Sequence, residues 1–314
     1  MKFIAILIAV VLAFGVVPGS VRAQDNTPVR IGVTPIDPAS TGFYAADLGL
    51  YTKYGLNANV QMMGNSGAVL EALVGGSLDI GYVGITTGET AYKKGLPIVM
   101  IAPTGIFDVK QGRVGYIMLR NDIPFKAAKD LEGKTIASIP LRNVGELAMD
   151  LWIDTNGGDS SKVKYVEVPF PATGAALQEK RIDGAILIEP FATQDKPFAR
   201  AVGPDPMASV ASYWLGGTFV TTKAWAAAHP DQVRRFVAAV AEAGQWANKN
   251  PDKSALILQK YSNVPLEMIK ASSRTIFTDQ LRPAMIQPTI DLLVRYKQID
   301  ASFRAEDMIY QPPK

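Results

Sequence analysis

Five short runs place backbone amides, hydroxyls and charged side chains where a small polar ligand can be held. In Gly64-Asn65-Ser66-Gly67-Ala68, small and polar residues precede Val69, Leu70, Leu73 and Val74 at helical spacing. This reads as a turn that opens a helix, with Ser66 as its cap. The first amides of such a helix have no partner within it, and together with the helix dipole they attract an anion. Gly84-Ile85-Thr86-Thr87 has the same small-residue character before a second helix. Leu141-Arg142-Asn143-Val144 puts a guanidinium at a third helix start. A cation is poorly placed there unless it serves an anion. Pro35-Ile36-Asp37, leading to Gly42 and Phe43, and Glu189-Pro190-Phe191 add two carboxylates, and Trp214 offers an aromatic wall.

The expected ligand contacts are therefore Asp37, Gly42, Phe43, Asn65, Ser66, Gly67, Ile85, Thr86, Thr87, Arg142, Asn143, Glu189 and Trp214. Plainer roles compete with this one. Ser66 and Thr87 can be caps, Arg142 a solvated charge, Glu189 the close of a turn, and Trp214 core. If Arg142 faces Ser66 and Thr86 across a cleft, an oxyanion is gripped from both sides. Arg142→Ala is then expected to weaken binding by roughly 2–4 kcal/mol.

Bond-breaking chemistry finds little support. The chain has one histidine, His229, and no cysteine, which removes a Cys/His pair and a multi-histidine metal site. No Gly-x-Ser-x-Gly elbow occurs, and Ser161-Lys162-Val163-Lys164 runs into a strand and not along a helix. No catalytic residue, metal or cofactor is expected. Lys2 and Arg22 are two of the 32 basic residues set against 29 acidic ones, so the rest of the chain is nearly neutral. No basic run with interleaved aromatics points to nucleic acid.

Residues 1–23 read as a secretory signal: Lys2, an apolar run, then Val21-Arg22-Ala23 before Gln24. Expected strands at 29–33, 56–63, 78–83 and 97–102 alternate with helices at 43–54, after Ser66, and at 87–94. A second alternation follows, with strands at 114–119, 134–139, 163–168 and 184–188 and helices at 144–156 and 172–180. Such alternation implies α/β architecture with mostly parallel sheets covered on both faces. The expected crossings between units fall at 105–112 and 215–222. From Pro230 the pattern is helical, at 231–248, 252–261, 266–272 and 286–298.

The chain resembles the periplasmic solute-binding proteins of importers for nitrate, sulfonates, taurine and thiamine-type pyrimidines. The likeness is carried by Gly42-Phe43-Tyr44-Ala45-Ala46-Asp47-Leu48-Gly49-Leu50-Tyr51, by Gly76-Ser77-Leu78-Asp79-Ile80-Gly81, by Asp130-Leu131-Glu132-Gly133-Lys134 and by Glu189-Pro190-Phe191. The resemblance implies a two-lobed type II periplasmic binding protein fold with a helical C-terminal segment. The first lobe would span 24–110, completed by 220–314, and the second 111–219. It also implies a periplasmic monomer that meets the membrane only through the permease subunits of an ABC transporter. The aromatics Phe43, Tyr44, Phe191 and Trp214 favour an organic anion, a sulfonate or aromatic carboxylate, over nitrate. Asp37 and Glu189 leave room for an aminopyrimidine. A pyrimidine-synthase-like enzyme of the same fold would need a cysteine-rich segment that this chain lacks. A sensor-associated binding protein would present the same cleft to a receptor.

Overall fold

The computed structural model describes residues 28–111 and 113–312, so the expected leader at 1–23 lies outside the described residues. Two five-stranded sheets form its framework. The first runs in the order Ala58–Met62, Val29–Val33, Ile80–Gly84, Gly217–Thr222, Ile98–Pro103. Its strands pair in parallel except for Gly217–Thr222, which is antiparallel to both neighbours. The second runs Ala199–Val202, Gly115–Arg120, Gly184–Ile188, Thr135–Ser138, Lys164–Glu167, with Gly115–Arg120 reversed. In each sheet the reversed strand is one that enters from the other unit.

A three-stranded ribbon joins them: Tyr213–Leu215 and Ile276–Phe277 flank Gly105–Asp108. The ribbon strand Gly105–Asp108 falls within the crossing expected at 105–112. The one expected at 215–222 does not coincide with the ribbon, because the β-branched run through Thr218, Val220 and Thr221 is a central strand of the first sheet. The return crossing is Tyr213–Leu215. Likewise the helix expected over 43–54 breaks into Thr41–Asp47 and Leu50–Lys53. Gly49 takes φ +68 between them, a left-handed turn that glycine adopts without steric cost.

Side chains alternate across the first sheet, so two cores form on its two faces. Ile31, Tyr82, Ile101 and Phe219 join Phe43, Val233, Phe236 and Val240 on one side. Val83, Ile98, Met100 and Val220 join Ile290 and Leu293 on the other. The helical segment therefore wraps both faces: Pro230–Lys249 packs on Thr41–Asp47, and Gln287–Arg295 on Ile85–Lys93. Leu147 and Ala148 of the helix Val144–Thr155 enter the second of these cores. The Tyr296 hydroxyl donates to Asp154 Oδ2 at 2.9 Å, a contact between the C-terminal segment and the end of that helix. Among the described residues, no helix is long and apolar enough to cross a membrane.

Candidate functional site

The carboxyl ends of the strands in both sheets face one open cavity. That is where ligands bind in open α/β sheets. Two helix starts form its polar side. Asn65, extended at φ −165, caps Ser66–Val74 by accepting from the Ala68 amide at 3.0 Å. Ser66, the residue expected to cap, lies in the first turn instead. Its hydroxyl accepts from the Gly84 amide at 2.9 Å and so fastens one helix start to the strand that feeds the next. Ile85–Lys93 then begins with no side-chain cap, the Ile85 amide donating to Gly216 O. Thr86 and Thr87, in its first turn, line the cavity.

Unsatisfied hydroxyls mark this wall. Thr34 Oγ1 and Thr86 Oγ1 are buried without a hydrogen-bond partner, and both residues line the cavity. Buried polar groups are nearly always paired, so two orphans on one wall point to a missing polar partner. The Tyr82 phenol lies on the same wall, where burial raises its pKa and keeps it a neutral donor.

The opposing wall is different. Val144, Ile186, Ile188, Phe170 and Met207 line it. Asn143 also lines the cavity, yet its amide is fully engaged. Nδ2 donates to Ser138 Oγ and Pro140 O, and Oδ1 accepts from the Gly145 and Glu146 amides. Those bonds close the start of Val144–Thr155, which Ile186 crowds further: a Cβ on Gly145 would lie 2.8 Å from Ile186 Cγ2. The ribbon supplies Ile106, Phe107 and Trp214. The Trp214 ring stacks on Phe107 at 5.5 Å and its indole N–H donates to Met207 O, so it offers the ligand hydrocarbon surface.

Of the expected contacts, Asn65, Ser66, Thr86, Thr87, Asn143 and Trp214 line this one cavity. The others lie elsewhere. Arg142 does not reach across the cleft: its Nη1 pairs with Glu146 Oε1 at 3.0 Å and Asp150 Oδ2 at 3.4 Å, and its amide donates to Glu146 Oε2. At φ +63 the residue occupies the left-handed region, which directs it back along its own helix. Asp37 is buried in an ion pair with Arg274 at 2.8 Å and accepts from the Thr275 amide at 2.6 Å. It thus anchors the segment that brings Thr275 to the cavity. Glu189 accepts from the amide and hydroxyl of Thr193, closing the short helix Phe191–Gln194, and burial raises its pKa. Gly42 and Phe43 belong to the core, where Phe43 stacks on Tyr261 at 4.0 Å and a Cβ on Gly42 would meet Val33 at 2.6 Å. Ile85 is fully buried in the other core, and Gly67 sits in the first helical turn outside the lining.

Sequence reasoning missed Thr34, Tyr82, Phe107, Phe170 and Ile186. Thr34 had a signal: it is the first residue past the strand Val29–Val33, one position before the run taken as the strand end. Thr275 had none, since it arrives from a segment distant in the chain. His229 ends Lys223–Ala228 beside Trp225, outside the cavity lining.

Comparison with known proteins agrees with this architecture. A binding protein of Brucella abortus is 27% identical over 282 residues, covering 87% of this chain and 84% of its own. The alkanesulfonate-binding protein SsuA of Xanthomonas axonopodis pv. citri, solved with MOPS bound, superposes with a TM-score of 0.76 at 17% identity, covering 90% and 98% of the two chains. The desulfurization enzyme DSZB superposes at 0.64 with 12% identity, covering 90% and 96%. The fold is that of periplasmic binding proteins, and it hosts an enzyme as well as binders. The NMT1-like family model matches residues 22–260, and the chain belongs to that family.

Proposed function

We propose that this chain is an extracytoplasmic solute-binding protein that encloses a small organic anion, of the sulfonate or aromatic carboxylate class, and delivers it to an ABC importer. In this reading residues 24–110, completed by 220–314, form one lobe and 111–219 the other, and 1–23 direct export. The observation that carries it is the pair of unpartnered hydroxyls, Thr34 and Thr86, beside a helix start without a side-chain cap on the cavity wall. An anion seated there draws on the helix amides, and the hydroxyls beside them have no other partner in the fold. Among the described residues, no His, Asp, Glu, Lys or Arg lines the cavity, and that wall favours holding over acid–base chemistry. An aminopyrimidine would want a carboxylate partner, and both Asp37 and Glu189 are engaged elsewhere.

Titration calorimetry and thermal shift against sulfonates, aromatic acids, pyrimidines and nitrate test this. A ligand at a thousandfold its Kd stabilises the protein by about 4 kcal/mol. The expected result is one ligand per chain, recovered unchanged by mass spectrometry. Conversion of the ligand at catalytic protein concentrations would overturn the reading.

A further inference from the structure

We infer that the two walls divide recognition between them, so that the cavity selects an amphiphilic monoanion: one oxyacid head on a branched or aromatic hydrocarbon body. This rests on the solute-binding reading above. The head has a place on one wall. Thr34, Ser66 and Thr86 bring hydroxyls there, and two helices of nine residues begin there. Thr86 is 1% and Thr34 5% exposed, and neither hydroxyl has a partner. The body has a place on the other. Val144, Phe170, Ile186, Ile188 and Met207 present hydrocarbon, and the one amide among them, Asn143, has both ends bonded within its own loop. The helix that starts on that side has its first amides closed by Asn143, so it offers no second anion site.

Two exclusions follow. Among the described residues the cavity wall carries no carboxylate for the ammonium of a zwitterion such as taurine, and no cation to hold the second charge of a dianion beyond the helix starts that serve the first. Burying an unpaired charge is strongly unfavourable. Nitrate fits the polar wall and leaves the hydrocarbon wall facing water. Closure onto a hydrocarbon body gains about fourfold in affinity per methylene removed from water.

The test is titration calorimetry with two probe series. The first is straight-chain carboxylates from acetate to hexanoate, with benzoate. The second is benzenesulfonate, taurine, benzamide and nitrate. Affinity should climb along the first series. Benzenesulfonate should exceed taurine, benzamide and nitrate by at least about tenfold each. Val144→Thr keeps the branched shape and Ile188→Thr also removes the terminal methyl; both positions are half-buried, and each change should flatten the chain-length dependence. The preference for benzenesulfonate over benzamide should survive in both. Circular dichroism confirms that each variant is folded, and either variant alone suffices for the comparison. Taurine or nitrate binding as tightly as benzenesulfonate would overturn the division of labour and leave the solute-binding reading intact. So would a flat length series in the wild type. Absence of heat or stabilisation with every probe overturns the proposed ligand class. Chemical conversion of a bound probe would instead strike the solute-binding reading itself.

Discussion

Thr86→Val separates a hydroxyl kept for a ligand from one kept for the fold, because the two roles predict opposite signs. The replacement keeps the branched shape and removes one polar atom. In the free protein Thr86 Oγ1 is buried without a partner, and an unsatisfied hydroxyl costs roughly 1–3 kcal/mol. The variant should therefore be at least as stable as wild type, with Tm raised by about 2 °C for each kcal/mol recovered in a chain of this size. Binding should move the other way. A hydrogen bond to a charged group contributes about 1.5–3 kcal/mol, so losing it weakens a carboxylate or sulfonate by about ten- to a hundredfold. Scanning calorimetry of the free protein and titration with benzenesulfonate give the two numbers. Affinity within twofold of wild type refutes the reasoning because the ligand then does not use the hydroxyl, and a free protein clearly less stable than wild type refutes it because the hydroxyl then has its partner in the fold.

Arg142→Ala should destabilise the protein by about 1–2 kcal/mol, because it strips a partly exposed partner from the buried Glu146 and Asp150, while affinity stays within twofold; urea unfolding and calorimetry read the two effects. Asp37→Asn should cost about 3–5 kcal/mol by leaving Arg274 buried and unpaired, seen as a lower urea midpoint. Glu89 gives a pH dependence. Its Oε1 accepts from Thr289, its Oε2 has no partner, and burial lifts its pKa to about 8. Between the ordinary glutamate value and that figure the folded protein holds a proton that the unfolded chain releases. Stability should therefore fall as pH rises across this window, by at most about 1.4 kcal/mol per pH unit from this group. Glu89→Gln should remove that component of the slope, and the outcome to watch for against it is an identical pH–stability curve in the variant.

Features written within a few neighbouring residues were legible in the sequence. The alternation of strands and helices, the turns that open Ser66–Val74, Ile85–Lys93 and Val144–Thr155, and the small residues at those turns all follow from local backbone preference and hydrophobic period. Even so, local grammar slipped by a residue where two polar groups compete, as when Asn65 took the cap and freed Ser66 to bind Gly84. Val74 sits at the same spacing as its buried neighbours yet is exposed, because the helix ends there.

Charges were not legible, because an ionised side chain goes to whichever partner the folded chain brings nearest. Arg142 found carboxylates on its own helix, and Asp37 found Arg274 from the far end of the sequence. Local sequence established an α/β framework and helix starts made of small polar residues. Tertiary structure alone decided that two of those starts share a wall with orphan hydroxyls while the third is sealed by Asn143. It also decided that hydrocarbon faces them. Backbone conformation is a short-range property, whereas the contents of a cavity depend on side chains from strands, ribbon and C-terminal segment that only folding assembles.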